Sequence, residues 1–362
     1  MAGHSAAMIQ FTAVEHEREI LAGHAARTDQ QGRPAPESLT AARKAGAFGL
    51  RTPASYGGAG AGAVHVARHL AELGRACPAT AWIAGTCATG KTLAARTFGD
   101  EALRDLYADP DALVCGVGFP GGRAERAAGG VRVTGRWPNA SGCEDASWAV
   151  LAVRDGDTVA LALIPVTDLT IDRTWRMAGM RGTGSHTLVA ERVPVPAARL
   201  VPVPQPADPA DRLLIQLTVL GPVVGAARGA LDVVAAMFGS DRKPFMSAHQ
   251  RMGDSPGARL WLADATRLVD RAERTMLALA ATADAGELTG ADGPRLQTDL
   301  ADAARDCRAA LDLMLDLHGA SGFATTNALQ RHWRDVAVGS RHPHLNPYLA
   351  AENYGRALVP AR

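Results

Sequence analysis

The sequence predicts a mainly α-helical protein carrying a β insert, on three observations. Apolar residues recur at helical spacing from about residue 7 to 109 and again from Asp211 to about Gly322. Between about residues 113 and 204 the period shortens to two and Gly and Pro punctuate often. Pro202, Pro204, Pro206 and Pro209 then read as a stiff linker. These changes divide the chain into an N-terminal helical domain over 1–111, a middle β domain over 112–206 and a C-terminal helical domain over 207–362.

In the first part, Phe11, Val14, Ile20 and Leu21, then Leu39, Ala42, Phe48 and Leu50, mark helix faces. The glycine-rich run Tyr56-Gly57-Gly58-Ala59-Gly60-Ala61-Gly62 requires a loop. Helix resumes over Val64–Arg75 and Ala79–Phe98, and Asp109-Pro110-Asp111 closes the part. In the insert, Val131-Arg132-Val133-Thr134 and Thr158–Ile164 alternate as strands. Trp148–Val153 is a short apolar run, and Arg154-Asp155-Gly156-Asp157 supplies a hairpin turn. In the last part, Leu260, Leu262, Ala263, Leu268, Met276, Leu277 and Leu279 suit buried helix faces, and Gly286–Pro294 turns between two long helices.

A chain of 362 residues with 47% hydrophobic content has ample core for one large or two to three smaller domains. Its net charge of +1, from 38 basic and 37 acidic residues, creates no general field for nucleic acid. Cys77, Cys87, Cys115, Cys143 and Cys307 are odd in number and widely spaced, which argues against a disulfide framework or zinc site. The N-terminal stretch is charged without an apolar core, and no apolar run reaches the roughly 18 residues of a span. A reducing cytoplasm and no membrane contact are therefore expected.

Gly85-Thr86-Cys87-Ala88-Thr89-Gly90-Lys91-Thr92 matches the P-loop pattern, yet a P-loop follows a buried strand and this run lies in a helical region. It reads as a chance match. Gly116-Val117-Gly118-Phe119-Pro120-Gly121 matches GxGxxG, but Pro120, Gly121 and Gly122 oppose the helix that motif should open, so a Gly/Pro loop entering the β segment is expected. His342 and His344 flank Pro343 without a further ligand at readable spacing, so no metal site is expected. His318 and His332 read as surface or satisfied core histidines. Trp137, Trp148 and Trp175 suit either a core or the wall of a flat cofactor.

Four segments fall in order along most of the chain. They are Thr52-Pro53-Ala54-Ser55-Tyr56-Gly57-Gly58-Ala59-Gly60; Gly129-Gly130-Val131-Arg132-Val133-Thr134-Gly135-Arg136-Trp137; Gly179-Met180-Arg181-Gly182-Thr183-Gly184-Ser185-His186 with Val193-Pro194-Val195-Pro196; and His318-Gly319-Ala320-Ser321-Gly322-Phe323. In this order they resemble landmarks of the acyl-CoA dehydrogenase superfamily. The resemblance implies an N-terminal helical domain, a middle β-barrel or sandwich domain and a C-terminal four-helix bundle.

That superfamily has two functional branches. Its dehydrogenases use a glutamate placed shortly after an Arg-Asp pair, here Arg334-Asp335. The glutamate position falls at or beside Pro343, between two imidazoles, and Phe119-Pro120-Gly121-Gly122 replaces the dehydrogenases' Thr-Glu-Pro loop. The monooxygenase branch shows an aromatic-x-Ser-Gly wall and a Ser-Arg-His segment. Asn139-Ala140-Ser141-Gly142 and Ser340-Arg341-His342 resemble these, with Asn139 in place of the aromatic. The branch's histidine on the helix after Thr80-Ala81-Trp82 is replaced by Gly90 or a neighbour.

The resemblance therefore implies a flavin-dependent monooxygenase that uses reduced FAD or FMN, supplied by a separate flavin reductase, and O₂. A C4a-hydroperoxide of the flavin would hydroxylate or N-oxidise a small organic substrate, aromatic or from secondary metabolism. It implies His342 and Ser141 as catalytic residues. It implies Phe119, Gly121, Trp137, Asn139, Ser141, Gly142, Gly319 and Gly322 as cofactor contacts, in a homotetramer. An imidazole with an ordinary pKa of about 6.5 could give and take a proton near neutrality. Three alternatives stand: an acyl-CoA or acyl-carrier dehydrogenase with a relocated base such as Glu352, a nucleotide-binding protein using Gly85–Thr92, and a flavin-binding scaffold without catalysis.

Overall fold

A computed structural model describes residues 2–203 and 207–359, with backbone alone for residues 2–14. Phe11 and Val14, as side chains, and Pro204 and Pro206 lie outside the described residues. The described chain divides into two compact units, residues 1–62, 79–177 and 181–211 in the first and 63–78, 178–180 and 212–362 in the second.

The first unit begins with helices α1 (Ala2–Gln31) and α2 (Pro36–Lys44). Thr28 joins them, its hydroxyl accepting the Ala35 amide at 3.0 Å. The second unit then takes α3 (Ala63–Ala76), and the chain returns to the first for α4 (Pro78–Thr97) and α5 (Asp100–Leu106). The middle segment forms one mixed sheet of seven strands: β1 (Val114–Ala127), β2 (Gly130–Ala140), β3 (Trp148–Asp155), β4 (Thr158–Pro165), β5 (Thr170–Asp172), β6 (His186–Pro196) and β7 (Leu200–Pro202). Their order is β5-β6-β2-β1-β3-β4-β7. β1 and β3 run parallel and every other described pair is antiparallel.

Alternation decides what this sheet buries. Val131, Val133 and Trp137 of β2, Ala149, Leu151 and Val153 of β3, and Ala160, Ala162 and Ile164 of β4 share one core. The expected turn at Asp155-Gly156-Asp157 closes the β3–β4 hairpin, with Asp155 opposite Thr158 and Gly156 at φ 61°. The Gly116–Gly121 run is strand and not the expected loop. It lies within β1, whose pairing with β3 shifts register between Val117 and Gly122. A bulge admits Pro120 because the residues there leave the ladder. The expected proline linker is also shorter: Pro202 ends β7, and Pro209 opens the next helix at a position that needs no N–H donor.

The second unit holds α3 with α6 (Pro209–Phe238), α7 (Pro256–Ala285), α8 (Gly293–His318), α9 (Ala328–Gly339) and α10 (Pro347–Leu358). Caps fix their ends. Ser255 accepts from the Ala258 amide, Asn327 from Leu329, and Asn346 from Tyr348 and Leu349, while Gly286 ends α7 at φ 71°. α6 is long and apolar enough to cross a membrane by length and composition, a feature the sequence reading did not register. Within the fold 67% of its apolar window is buried. Gly221, Gly225 and Gly229 give it a flat side against α3, where a Cβ on Gly225 or Gly229 would overlap the Ala71 or Arg75 carbonyl. The buried face of α7 is Ala265, Val269, Ala272, Met276 and Leu279, whereas Leu260 and Ala263, expected inside, are exposed. α7 packs against both α8 and α3.

Candidate functional site

In the first unit, Asn139 and Gly142 both take left-handed backbone, at φ 64° and 73°, and bracket Ser141. Asparagine tolerates this region better than most residues. Gly142 must remain glycine, since a Cβ would lie 2.7 Å from Ile83 Cγ2 on α4. The turn is tied to the segment before β6: the Gly142 amide donates to the Thr183 carbonyl at 2.8 Å, and the Cys143 thiol to the Gly184 carbonyl at 3.6 Å. Ser141, 6% exposed, meets the Ser185 hydroxyl at 2.7 Å, and Ser185 meets the Thr183 hydroxyl at 2.6 Å. Beside them the His186 ring accepts the Trp175 amide on Nδ1, which leaves its Nε2 proton for Glu144 at 3.4 Å. Arg173 holds the same carboxylate.

The expected cofactor contacts around Ser141 separate into two kinds. Phe119 is 75% exposed and Asn139 is exposed, so both offer surface to a ligand. Gly121 lets β1 approach β2, because a Cβ there would overlap the Arg136 carbonyl. Trp137 corrects the expectation. Its ring is fully buried in the sheet core and its indole N–H donates to the Ala152 carbonyl at 2.7 Å, so it presents no face to a flavin.

In the second unit, Gly319 takes φ 70° with ψ −168°, a conformation for glycine, directly after α8. Gly322 has His318 and Leu315 atoms 3.2 Å from its would-be Cβ. Arg242 stitches this turn, donating to the His318 carbonyl at 2.5 Å and the Ser321 hydroxyl at 2.8 Å. His318 is hydrogen-bonded as expected, but His332 is not: it is 3% exposed and its Nδ1 has no hydrogen bond.

His342 follows α9 in a turn that α8 holds. Arg308 donates to the Ser340 carbonyl and Gln297 to the Pro343 carbonyl. Arg341 donates to the Ala337 carbonyl rather than pairing with a carboxylate. The His342 and His344 rings lie 4.9 Å apart, and His342 Nδ1 accepts the His344 amide at 3.3 Å. That bond assigns the ring proton of His342 to Nε2. Burial, reinforced by His344, pushes the His342 pKa down to about 3, and burial with Arg212 lowers that of His344. The expectation of an imidazole titrating near neutrality is therefore corrected: His342 is a neutral Nε2–H donor. Glu352 is exposed on α10 and paired with Arg356 at 3.4 Å.

The P-loop match lies within α4, and Lys91 is fully buried. Its ammonium donates to the carbonyls of Phe48 and Pro110 and to the Thr52 hydroxyl, which leaves no donor for a phosphate.

Two family models match, the N-terminal domain of acyl-CoA dehydrogenase over residues 5–111 and its C-terminal domain over 217–347. The FADH₂-dependent resorcinol hydroxylase oxygenase component of Rhizobium sp. (strain MTP-10005) is 31% identical, over 92% of this chain and 90% of its own. The chain belongs to the acyl-CoA dehydrogenase family. Within that family it falls among the flavin-dependent monooxygenases. The oxygenase subunit HsaA of Rhodococcus jostii (strain RHA1) is 29% identical over 91% of this chain and 93% of its own. XiaF from Streptomyces sp., solved in complex with FADH₂ and glycerol, superposes with a TM-score of 0.91 at 28% identity and full coverage of both chains.

Sequence reasoning singled out Ser141 and His342 but not Thr183, Ser185 and His344, which the fold brings beside them. Thr183 and Ser185 lie in the Gly179–His186 segment, whose sequence puts two hydroxyls two residues apart. Nothing local paired them with a serine 44 residues upstream.

Proposed function

We propose that this enzyme is the oxygenase component of a two-component system that takes reduced flavin from a separate reductase and hydroxylates a small aromatic substrate. Reduced flavin supplies two electrons to O₂, so that one oxygen enters the substrate and the other leaves as water. The observation that supports the reading is the His342–His344 pair, rings 4.9 Å apart, in the segment where the resemblance implies the dehydrogenases' carboxylate. A neutral Nε2–H donates a hydrogen bond without adding negative charge beside an electron-rich ring. A glutamate base suited to an acyl thioester would add that charge.

The residues present fit a flavin. Ser141 offers a hydroxyl that can donate or accept, and Phe119 offers an exposed ring. On this reading Ser141 orients the reactive edge of the cofactor, with Asn139 and Gly142 lining it. Gly319 and Gly322 are further cofactor contacts that the resemblance implies. His342 donates from Nε2 to the oxygen being transferred. The name of the Rhizobium relative supports a resorcinol-like, dihydroxylated aromatic ring as the first substrate to try. Five buried cysteines, all thiols, support a reducing cytoplasm. Exposed Leu260 and Trp261 on α7 give a homotetramer apolar surface to use.

The test is anaerobic reduction of the FAD- or FMN-loaded protein, then mixing with O₂ and resorcinol while absorbance, peroxide and oxygenated product are followed. Product carrying ¹⁸O from ¹⁸O₂ is expected. Bleaching of the flavin by an acyl thioester without O₂ would make the enzyme a dehydrogenase.

A further inference from the structure

The Thr183–Ser185–Ser141 hydroxyls form a chain with links of 2.6 and 2.7 Å, and their residues are 1, 3 and 6% exposed. Backbone bonds fix the spacing. Gly142 donates to Thr183, His186 donates to Gly184 at 2.7 Å, and Gly184 takes a left-handed φ of 49°. Ser185 has one proton for two hydroxyl neighbours, so it donates to one of them at most. When Ser141 donates inward, its lone pairs are left to accept from outside. When Ser185 donates to Ser141, the Ser141 proton points outward. The direction of the chain therefore sets whether Ser141 is a donor or an acceptor.

We infer that this chain reverses with the oxidation state of the flavin, making Ser185 and Thr183 positioning residues for Ser141. The inference rests on the reading that the flavin edge lies at Ser141. Oxidised flavin presents a bare N5, which accepts; reduced flavin presents N5–H, which donates. With reduced flavin the order is Ser141 to Ser185 to Thr183, and with oxidised flavin it is the reverse. Each change is a rotation about a C–O bond: no O–H bond breaks and no charge moves. Both oxidation states are thereby satisfied by one buried serine that could otherwise suit only one of them without leaving a proton or a lone pair unused.

Ser185→Ala removes the acceptor for the inward proton of Ser141, and a buried donor left unmade costs more than an idle lone pair. Reduced FAD or FMN should bind roughly tenfold more weakly to this variant, with oxidised flavin changed less than about twofold. The midpoint potential of the bound two-electron couple would then fall by about 30 mV. Thr183→Val, close to isosteric, should shift the ratio the same way by less, and Thr183→Ser, which keeps the hydroxyl, should hold the parental ratio. The experiment is anaerobic titration of both oxidation states into each variant, with the potential read against a reference dye. Equal weakening of both states at constant potential in Ser185→Ala and Thr183→Val would overturn the inference and leave the flavin at Ser141. A Ser141→Ala protein with parental affinities and potential would overturn both the placement and the inference.

Discussion

The ammonium of Lys91 lies 2.7 Å from the carbonyl oxygen of buried Phe48, with the buried Thr52 hydroxyl and the half-buried Pro110 carbonyl as its other acceptors. The lysine joins α4 to the loops around Phe48, Thr52 and Pro110. Replacing it with Ala takes the charged donor from the buried Phe48 carbonyl and Thr52 hydroxyl, while Pro110 keeps only its bond from Thr52. Lys91→Ala is expected to lose about 3 kcal/mol of unfolding free energy, measured by urea denaturation. A loss within 0.5 kcal/mol, on the order of an ordinary surface change, would contradict the bonding described.

His342→Ala removes the Nε2–H donor and the acceptor of the His344 amide, while backbone bonds, Arg308 and Gln297 still hold the turn. Turnover should continue with more of the oxygen lost as H₂O₂, and the oxygenated product should fall by about 10²-fold or more, the usual range for an assisting donor. Peroxide and product yields measured together check this. Unchanged coupling would remove His342 from the chemistry.

Glu352→Gln should leave coupling and product yield at the parental level, because the carboxylate is exposed and engaged with Arg356. A large drop in turnover with an acyl thioester would instead restore it as a base.

Burial holds His332 down to about 3, with Arg331 adding to the effect, against an ordinary 6.5. The unfolded chain then binds a proton that the fold refuses, between about pH 6.5 and 3. Stability is complete above that window and falls as the pH drops through it, by about 1.4 kcal/mol per pH unit once the unfolded imidazole is charged. His69, held to about 4 by burial and His65, adds loss in the same direction. Urea unfolding at stepped pH should show a shallower acid slope in His332→Asn than in the parent. Identical slopes would refute a neutral His332.

Gly179 sits against α9 so closely that a Cβ would overlap the Arg334 carbonyl, while the neighbouring Met180 amide donates to Asp335 at 2.5 Å. Gly179→Ala should cost about 2–3 kcal/mol by thermal or chemical unfolding, since backbone cannot yield as a side chain can. A neutral substitution would mean the 178–180 segment is free to move off the helix.

Much of this was legible in the sequence where the signal was periodic. α3, α4 and the β3–β4 hairpin fall where apolar spacing and Asp155-Gly156 put them. Trp137 was left open between core and cofactor wall; it joins Val131 and Val133 in the core, on the same side of β2. On α7, Met276 and Leu279 are buried as expected, but leucine content alone misplaced exposed Leu260 and overlooked the buried alanines Ala265 and Ala272. The neutrality of His342 was not legible, because it depends on burial and on the ring of His344 rather than on residue type. Ser141 was singled out by its likeness to a family wall, and its hydroxyl partners arrive only when the segment before β6 folds back.

The glycine side of α6 has a consequence for dissecting the protein. α3 lies inside the stretch matched by the N-terminal family model, yet it packs on Gly221, Gly225 and Gly229, well over a hundred positions later. A gene cut near residue 111 would produce a fragment whose α3 has a stripped flank and a complement lacking the helix that seals its glycines. Neither piece is an autonomous module, so complementation from two co-expressed halves should succeed only when α3 travels with the C-terminal one.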